Sequence, residues 1–217
     1  MIDINGTTGY LAIPETGSGP GLLVIQEYWG LVDHIKRVAD RMAAAGFVAL
    51  APDLYHGEVA KSPDAAGKML MALNIAQAGK DMSAAARALL DHDAVTSEQV
   101  GIMGFCMGGQ LALYAACEYP EVIACAVDFY GIHPKVELRV EQLGGPVQCH
   151  FAERDKSTPR DVAKALCDRI AAAGKRADCY FYSADHAFFN DTRPDVFNAG
   201  AAALAFERTT AFLGSSL

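Results

Sequence analysis

One cysteine of the sequence stands where a thiol can act as a nucleophile. Cys106 is the central cysteine of GFCMGG (104–109), directly after the apolar run VGIM (100–103) and directly before a helix-like segment. A sharp strand-to-helix turn strains the backbone at the nucleophile, and only very small residues fit beside it. Free amides at the start of the helix would also favour a thiolate. We predict that Cys106 is a catalytic nucleophile; the alternative is a small core residue.

A thiol nucleophile needs a base, and an acid must orient that base. In hydrolases built on such a turn, the acid and then the base follow the nucleophile along the chain. Asp155 comes two residues after the strand-like segment 146–153, and His186 comes three residues after the strand-like segment 177–183. We predict that Asp155 is the acid and His186 the base.

Other residues compete for both roles. His150 lies inside an apolar segment, which favours a core histidine, and His133 lies in a loop after a Tyr-Gly turn. Asp155 is preferred as the acid because it stands at a loop tip. The alternative acids near it are Glu153, Asp161 and Asp185.

Glu27 directly follows the apolar run LLVIQ (22–26). A carboxylate at the end of a buried strand is unfavourable unless it is paired or faces a pocket, and the alternative is a surface charge at the strand tip. The functional interpretation places Glu27 beside Cys106, where it could accept the thiol proton or keep the thiol neutral until substrate binds. The backbone amides of Tyr28 and Met107 are then the expected oxyanion hole.

Aromatic side chains near these positions suggest the shape of the substrate. Trp29 is close to Glu27 in the chain, and Tyr55 and Tyr130 follow other strand-like segments. Such rings would suit a planar or unsaturated lactone or ester. We expect Trp29, Tyr55 and Tyr130 to bind the substrate, and the alternative for the two tyrosines is ordinary core packing.

Strand-like and helix-like segments alternate along the whole chain. Besides the strands already named, strands are predicted at 47–55 and 122–131, and helices at 33–45, 64–92 with a break near Gly79, 107–119, 158–174 and 196–213. This alternation predicts an α/β fold with a mostly parallel sheet and helices on both faces. No linker interrupts the pattern, so we expect a single domain over residues 1–217. In such sheets the chemistry lies at the carboxyl ends of the strands.

Composition excludes several classes of function. The chain has 217 residues, of which 52% are hydrophobic, and its formal net charge is −8, which argues against nucleic-acid and membrane partners. No metal or cofactor is expected, because neither metal-ligand spacing nor a phosphate-binding glycine motif occurs. No signal-like segment is visible, and the six cysteines are scattered without a C-x-x-C pair. We expect reduced thiols and a cytoplasmic protein, either a monomer or a small homo-oligomer.

With these residues assembled, the sequence resembles the dienelactone hydrolase (carboxymethylenebutenolidase) family. The resemblance spans nearly the full length and rests on QEYWG (26–30), PDLY (52–55), GFCMGG (104–109), DFYG (128–131), the acidic loop at Asp155 and HAFFND (186–191). It implies a single-domain α/β-hydrolase fold and a triad of Cys106, His186 and Asp155. It also implies that substrate binding moves Glu27, which then takes the thiol proton.

The sequence departs from the best-known members of that family at the substrate carboxylate. Those proteins hold it with two arginines, one before the nucleophile and one shortly after the catalytic histidine. Here no arginine lies between Arg41 and Arg87, the position after HAFF is Asn190, and Arg193 is shifted by three residues. Substitute cations are Lys61, Lys68 and Lys80, which lack the bidentate guanidinium fork.

We therefore expect a cysteine-dependent hydrolase of small lactones or esters that works through an acyl-enzyme on Cys106. The alternative from another class is a non-catalytic ligand-binding or stress-responsive protein on the same scaffold. An isomerase or lyase that uses the same thiol is a third hypothesis.

Overall fold

A mostly parallel sheet forms the centre of the molecule. The computed structural model describes residues 1–4, 6–131, 133 and 135–217. Within them the strands are β1 (Ile2–Ile4), β2 (Thr7–Ala12), β3 (Gly21–Ile25), β4 (Val48–Pro52), β5 (Val100–Phe105), β6 (Ile123–Phe129), β7 (Val147–Ala152) and β8 (Ala177–Tyr182). Their order across the sheet is β1-β2-β4-β3-β5-β6-β7-β8. Only the pairs β1–β2 and β2–β4 are antiparallel, so the predicted mostly parallel sheet is confirmed.

Helices cover both faces of this sheet. They are α1 (Asp33–Ala44), α2 (Pro63–Ala72), α3 (Ile75–Leu90), α4 (Met107–Glu118), α5 (Arg160–Ala172) and α6 (Ala199–Ser216). The hydrophobic core against one face contains side chains of α3, α4 and α5, and the core against the other contains side chains of α1 and α6. In β3 successive residues alternate between these cores: Leu23 and Ile25 enter the first, and Leu22 and Val24 the second. Of the helices in the described ranges, none is both long and apolar enough to cross a membrane.

The helical region 64–92 is two helices, and the break lies before Gly79 rather than at it. Asn74 begins α3 as its N-cap, with its side chain accepting a hydrogen bond from the Gln77 amide at 3.1 Å. Gly79 lies inside α3, where a Cβ would come within 2.9 Å of the Tyr114 ring on α4. The glycine therefore permits close helix packing instead of ending the helix.

The expectation that all six cysteines are reduced is wrong for two of them. Cys167 on α5 and Cys179 on β8 form a disulfide. They are 12 residues apart in no recognisable motif, and it is the packing of α5 beside β8 that brings their Cα atoms to 6.5 Å. The Cys149 sulfur on β7 lies within 4.8 Å of both. Among the four free cysteines Cys106 is partly exposed, whereas the other three are buried.

Replacing both bridged cysteines with serine should lower the free energy of unfolding. A loop of this size loses enough freedom in the unfolded chain for a bridge to contribute about 2–3 kcal/mol. Denaturant unfolding of the wild type and the Cys167→Ser, Cys179→Ser variant without reductant measures the difference. Excess reductant should bring the two curves close together. Alkylation of the unfolded, unreduced wild type should modify four thiols, and modification of all six would show that the bridge is absent.

Candidate active site

Cys106 stands on a strained turn between β5 and α4. Its backbone has φ +53° and ψ −121°, in a region that costs a non-glycine residue about 1–3 kcal/mol. The turn is held because the Cys106 amide donates to the Phe129 carbonyl at 2.9 Å. A Cβ on Gly104 would lie 2.0 Å from the Gly108 carbonyl oxygen, and a Cβ on Gly108 would lie 2.4 Å from the Gln26 carbonyl oxygen. The flanking glycines are thus required by close backbone approach, and they leave the sulfur at the N-terminus of α4.

The structure brings Cys106, His186 and Asp155 together. His186 Nδ1 lies 2.7 Å from Asp155 Oδ2, and both the imidazole and the Cys106 thiol line one cavity. Burial lowers the pKa of His186, but its interactions with Asp155 and Cys106 outweigh burial, so the net pKa is raised. The imidazolium is therefore favoured beside the sulfur.

Backbone amides fix the carboxylate of Asp155. Its Oδ1 accepts hydrogen bonds from the amides of Ser157 at 2.7 Å and Thr158 at 2.9 Å, and its side chain is 0% exposed. These contacts leave Oδ2 directed at His186. The competing Asp185 is half-exposed and paired instead with Arg154 at 2.8 Å.

His150 is a core histidine, as its apolar segment suggested. Its Nδ1 lies 2.8 Å from the Tyr182 hydroxyl, and its Nε2 lies 2.8 Å from Gln148 Oε1. Burial lowers the pKa of His150 to about 3, so the ring is neutral. Because both ring nitrogens of His150 are hydrogen-bonded in the core, neither is available to act as the base.

Glu27 is buried, which excludes the surface-charge interpretation. It is 2% exposed, and its Oε2 accepts a hydrogen bond from Asn190 Nδ2 at 2.8 Å. Burial raises the pKa of Glu27, partly offset by the Asn190 hydrogen bond and the charges of His186 and Arg193. Within the described residues, Glu27 Oε1 has no hydrogen-bond partner.

The amide of Asn190 is oriented by its own loop. Asn190 Oδ1 accepts hydrogen bonds from the Thr192 hydroxyl at 2.6 Å and the Thr192 amide at 3.0 Å. Because the carbonyl end is thus occupied, the NH₂ end must face Glu27. The residue found in place of the family's second arginine is therefore a neutral donor to Glu27.

A cavity of about 510 Å³ opens onto these side chains. The predicted residues that line it are Glu27, Tyr28, Trp29, Cys106, Met107, Tyr130 and His186. Apolar Leu70 and Val196 also line it. Its cationic lining residues are Arg154, Lys156 and Arg193, so none of the three lysines considered as substitute cations is among them.

Tyr55 does not line this cavity. It borders a second cavity, of about 290 Å³, and its hydroxyl contacts Met107 Sδ at 3.4 Å. The Tyr55 side chain thus packs against Met107 outside the first cavity. The position of Tyr55 after β4 in the sequence does not reveal this orientation.

The two amides expected to form the oxyanion hole belong to residues that line the cavity. Met107 is the first residue of α4, so its N–H has no acceptor within the helix. Tyr28 follows the end of β3, which pairs with β5 beside it. This placement, with one amide after the nucleophile and one after a neighbouring strand, is what carbonyl activation requires.

Comparisons with known proteins identify the family to which the chain belongs. The model of the Dienelactone hydrolase family matches residues 7–217. The chain belongs to this family. A relative from Aquifex aeolicus, named "Putative carboxymethylenebutenolidase", is 32% identical over 216 residues, covering 96% of this chain and 93% of that protein. A Bradyrhizobium protein named "Probable 2-oxo-3-(5-oxofuran-2-ylidene)propanoate lactonase" is 33% identical over 232 residues, covering 98% and 92%.

A solved structure shows the same fold. A crystal structure described as a "Putative Dienelactone Hydrolase" from Klebsiella pneumoniae matches with a TM-score of 0.86 at 27% identity, over 96% of this chain and 92% of that one. This member of the dienelactone hydrolase family therefore has the α/β-hydrolase fold, and it is a hydrolase of small esters or lactones.

Glu27→Gln should make the protein more stable at alkaline pH. The raised pKa means that the folded state holds the Glu27 proton more tightly than the unfolded chain does. Stability from this group is therefore present at low pH and lost as pH rises above about 4.5. Glutamine keeps the shape and can still accept from Asn190, so the variant should gain about 2–4 °C or more in melting temperature at pH 8 and less at pH 5.

The matched control is Glu58→Gln, because Glu58 is exposed. Its melting temperature should follow that of the wild type at both pH values. A Glu27→Gln effect of the same size at pH 5 and pH 8 would contradict the assignment of a buried, proton-retaining carboxyl.

Proposed function

We propose that this protein hydrolyses its substrate through an acyl-enzyme on Cys106. The observation that carries the proposal is that Cys106 and His186 line one cavity while His186 is hydrogen-bonded to the buried Asp155 behind it. A non-catalytic binding protein would have no need of this arrangement. The assignment of roles follows from the geometry of the three groups.

In the first half of the reaction the Cys106 thiolate attacks the ester or lactone carbonyl carbon. The carbonyl electron pair moves to oxygen, and the amides of Tyr28 and Met107 donate hydrogen bonds to the oxyanion. As the tetrahedral intermediate collapses, the carbon–oxygen bond breaks and His186 gives a proton to the leaving oxygen. The product is a thioester, with an alcohol released from an ester or a hydroxyl left on the chain of an opened lactone.

In the second half water hydrolyses the thioester. His186 takes a proton from water, the hydroxide attacks the acyl carbon, and the carbon–sulfur bond breaks to return the Cys106 thiolate. Asp155 keeps the imidazole in one orientation in both steps and stabilises its charged form. The acyl part of the substrate is released as a carboxylic acid.

Glu27 is proposed as the group that controls the thiol proton. Its carboxyl is buried against the cavity and its pKa is raised, so it can accept and hold a proton in the absence of solvent. Asn190 holds one of its oxygens and leaves the other without a partner among the described residues. That free oxygen is the one available to the thiol when substrate changes the site.

The cavity favours a flat acyl group with an acidic substituent. Tyr28, Trp29 and Tyr130 supply aromatic faces, and Arg193 supplies a guanidinium that is now paired with Asp195 at 2.8 Å. A substrate carboxylate could replace Asp195 in a bidentate contact. We propose that Arg193 takes the part of the missing arginine pair.

Cys106→Ala should reduce the rate of p-nitrophenyl acetate hydrolysis by about a thousandfold or more, because the nucleophile is gone. The matched control is Cys117→Ser, which changes a buried cysteine of α4. His186→Gln should accumulate an adduct with the mass of one acetyl group on the Cys106 peptide, since deacylation needs the imidazole. Full activity of Cys106→Ala would refute the acyl-enzyme.

A further inference from the structure

His133 is a buried histidine that the proposed reaction does not use. It lies in the connection after β6, is 4% exposed and lines the same cavity as Cys106. None of the carboxyl groups in the described ranges hydrogen-bonds to it, so it lacks the orienting acid of a catalytic base. Any other role of His133 depends on which ring nitrogen carries the hydrogen and what that N–H group can contact.

One contact determines which nitrogen of His133 carries the proton. Nδ1 accepts a hydrogen bond from the Lys135 amide at 3.1 Å. Burial, together with the charge of Lys135, lowers the pKa of His133, so the ring is neutral near pH 7. A neutral imidazole whose Nδ1 accepts must carry its hydrogen on Nε2. His133 therefore presents an Nε2–H donor.

This donor has no acceptor within the part of the chain that the structure describes. Nε2 is buried and without a hydrogen-bond partner there. Unpaired buried donors are unfavourable, and proteins retain them where a ligand completes the bond. Because His133 lines the cavity, a substrate bound there is a group that can complete this bond.

The backbone of His133 is tied to the helix that carries the nucleophile. Gln110, in the first turn of α4, accepts a hydrogen bond from the His133 amide through Oε1 and donates from Nε2 to the Val136 carbonyl at 2.9 Å. The donor is thus fixed relative to Cys106 by a side chain four residues further along the same helix. Fixed geometry is what allows one hydrogen bond to discriminate between substrates.

We propose that His133 is a specificity-determining residue whose Nε2–H donates to a second oxygen acceptor of the substrate. The reacting carbonyl oxygen already has the amides of Tyr28 and Met107 as its donors. The substrate class is then an ester or lactone that carries a further carbonyl or carboxylate oxygen on its acyl part. This inference rests on the proposed function and adds the recognition step to it.

Two variants separate donation to substrate from support of the loop. His133→Asn can still accept from the Lys135 amide, as asparagine commonly does two residues along, but it has no donor at the Nε2 position. His133→Gln places an NH₂ group near the Nε2 position. The asparagine variant thus removes the proposed contact and the glutamine variant restores it.

The probes are carbon-matched p-nitrophenyl esters with and without a ketone. They are the pair 4-oxopentanoate and pentanoate and the pair 5-oxohexanoate and hexanoate. In at least one pair, His133→Asn should lower kcat/KM for the oxo ester by about three- to tenfold, mainly through KM, and leave the plain ester unchanged. His133→Gln should recover most of the loss.

The His133→Asn variant must first be shown to melt like the wild type. The inference is then overturned if kcat/KM falls equally for oxo and plain esters, or if it falls in neither pair. Failure of the proposed function looks different, because it appears as Cys106→Ala retaining activity on the plain esters. The ratio between oxo and plain esters does not depend on that result.

Discussion

The close approach between the turn after β5 and the end of β3 determines the rest of the site. Gly108 packs so tightly against the Gln26 carbonyl that no Cβ fits between them. The same contact places the first turn of α4 beside the residue that follows Gln26, which is Glu27. Cys106 and a buried carboxyl from a distant part of the chain therefore lie near one another because two backbones touch. Strain at Cys106 is tolerated because the strands on either side of β5 hold the residues that lead into the turn.

Asp155 and Glu27 each have one carboxylate oxygen held by a neighbour and the other left for a different contact. The amides of Ser157 and Thr158 hold one oxygen of Asp155, and Asn190 holds one oxygen of Glu27. In each case the neighbouring contact selects the orientation, so the free atom faces the cavity or the next catalytic group. Such orientation is achieved before substrate arrives, which is how an enzyme avoids reorganisation during the reaction.

Much of this site could be predicted because its requirements are local. Small residues around Cys106 and the positions of Asp155 and His186 after strands are visible in the sequence alone. The bridge between Cys167 and Cys179 could not be predicted, because it depends on how a helix packs beside a strand. The direction of Tyr55 also depends on tertiary packing: its hydroxyl turns to Met107 and its ring borders another cavity. Arg154 and Lys156 follow β7 without any pattern that separates them from ordinary surface charges.

The disulfide has a consequence for the border of the sheet. β8 pairs with β7 alone among the described strands, so it is one of the two edges at which strand pairing is expected to fray. His186 follows β8 in the chain, and Asp155 follows β7. The hydrogen bond between the two side chains therefore depends on β8 staying paired with β7. By clamping β8 to α5, the Cys167–Cys179 link resists peeling of the outermost strand. A disulfide at the edge of the sheet thus helps to keep His186 aligned with Asp155.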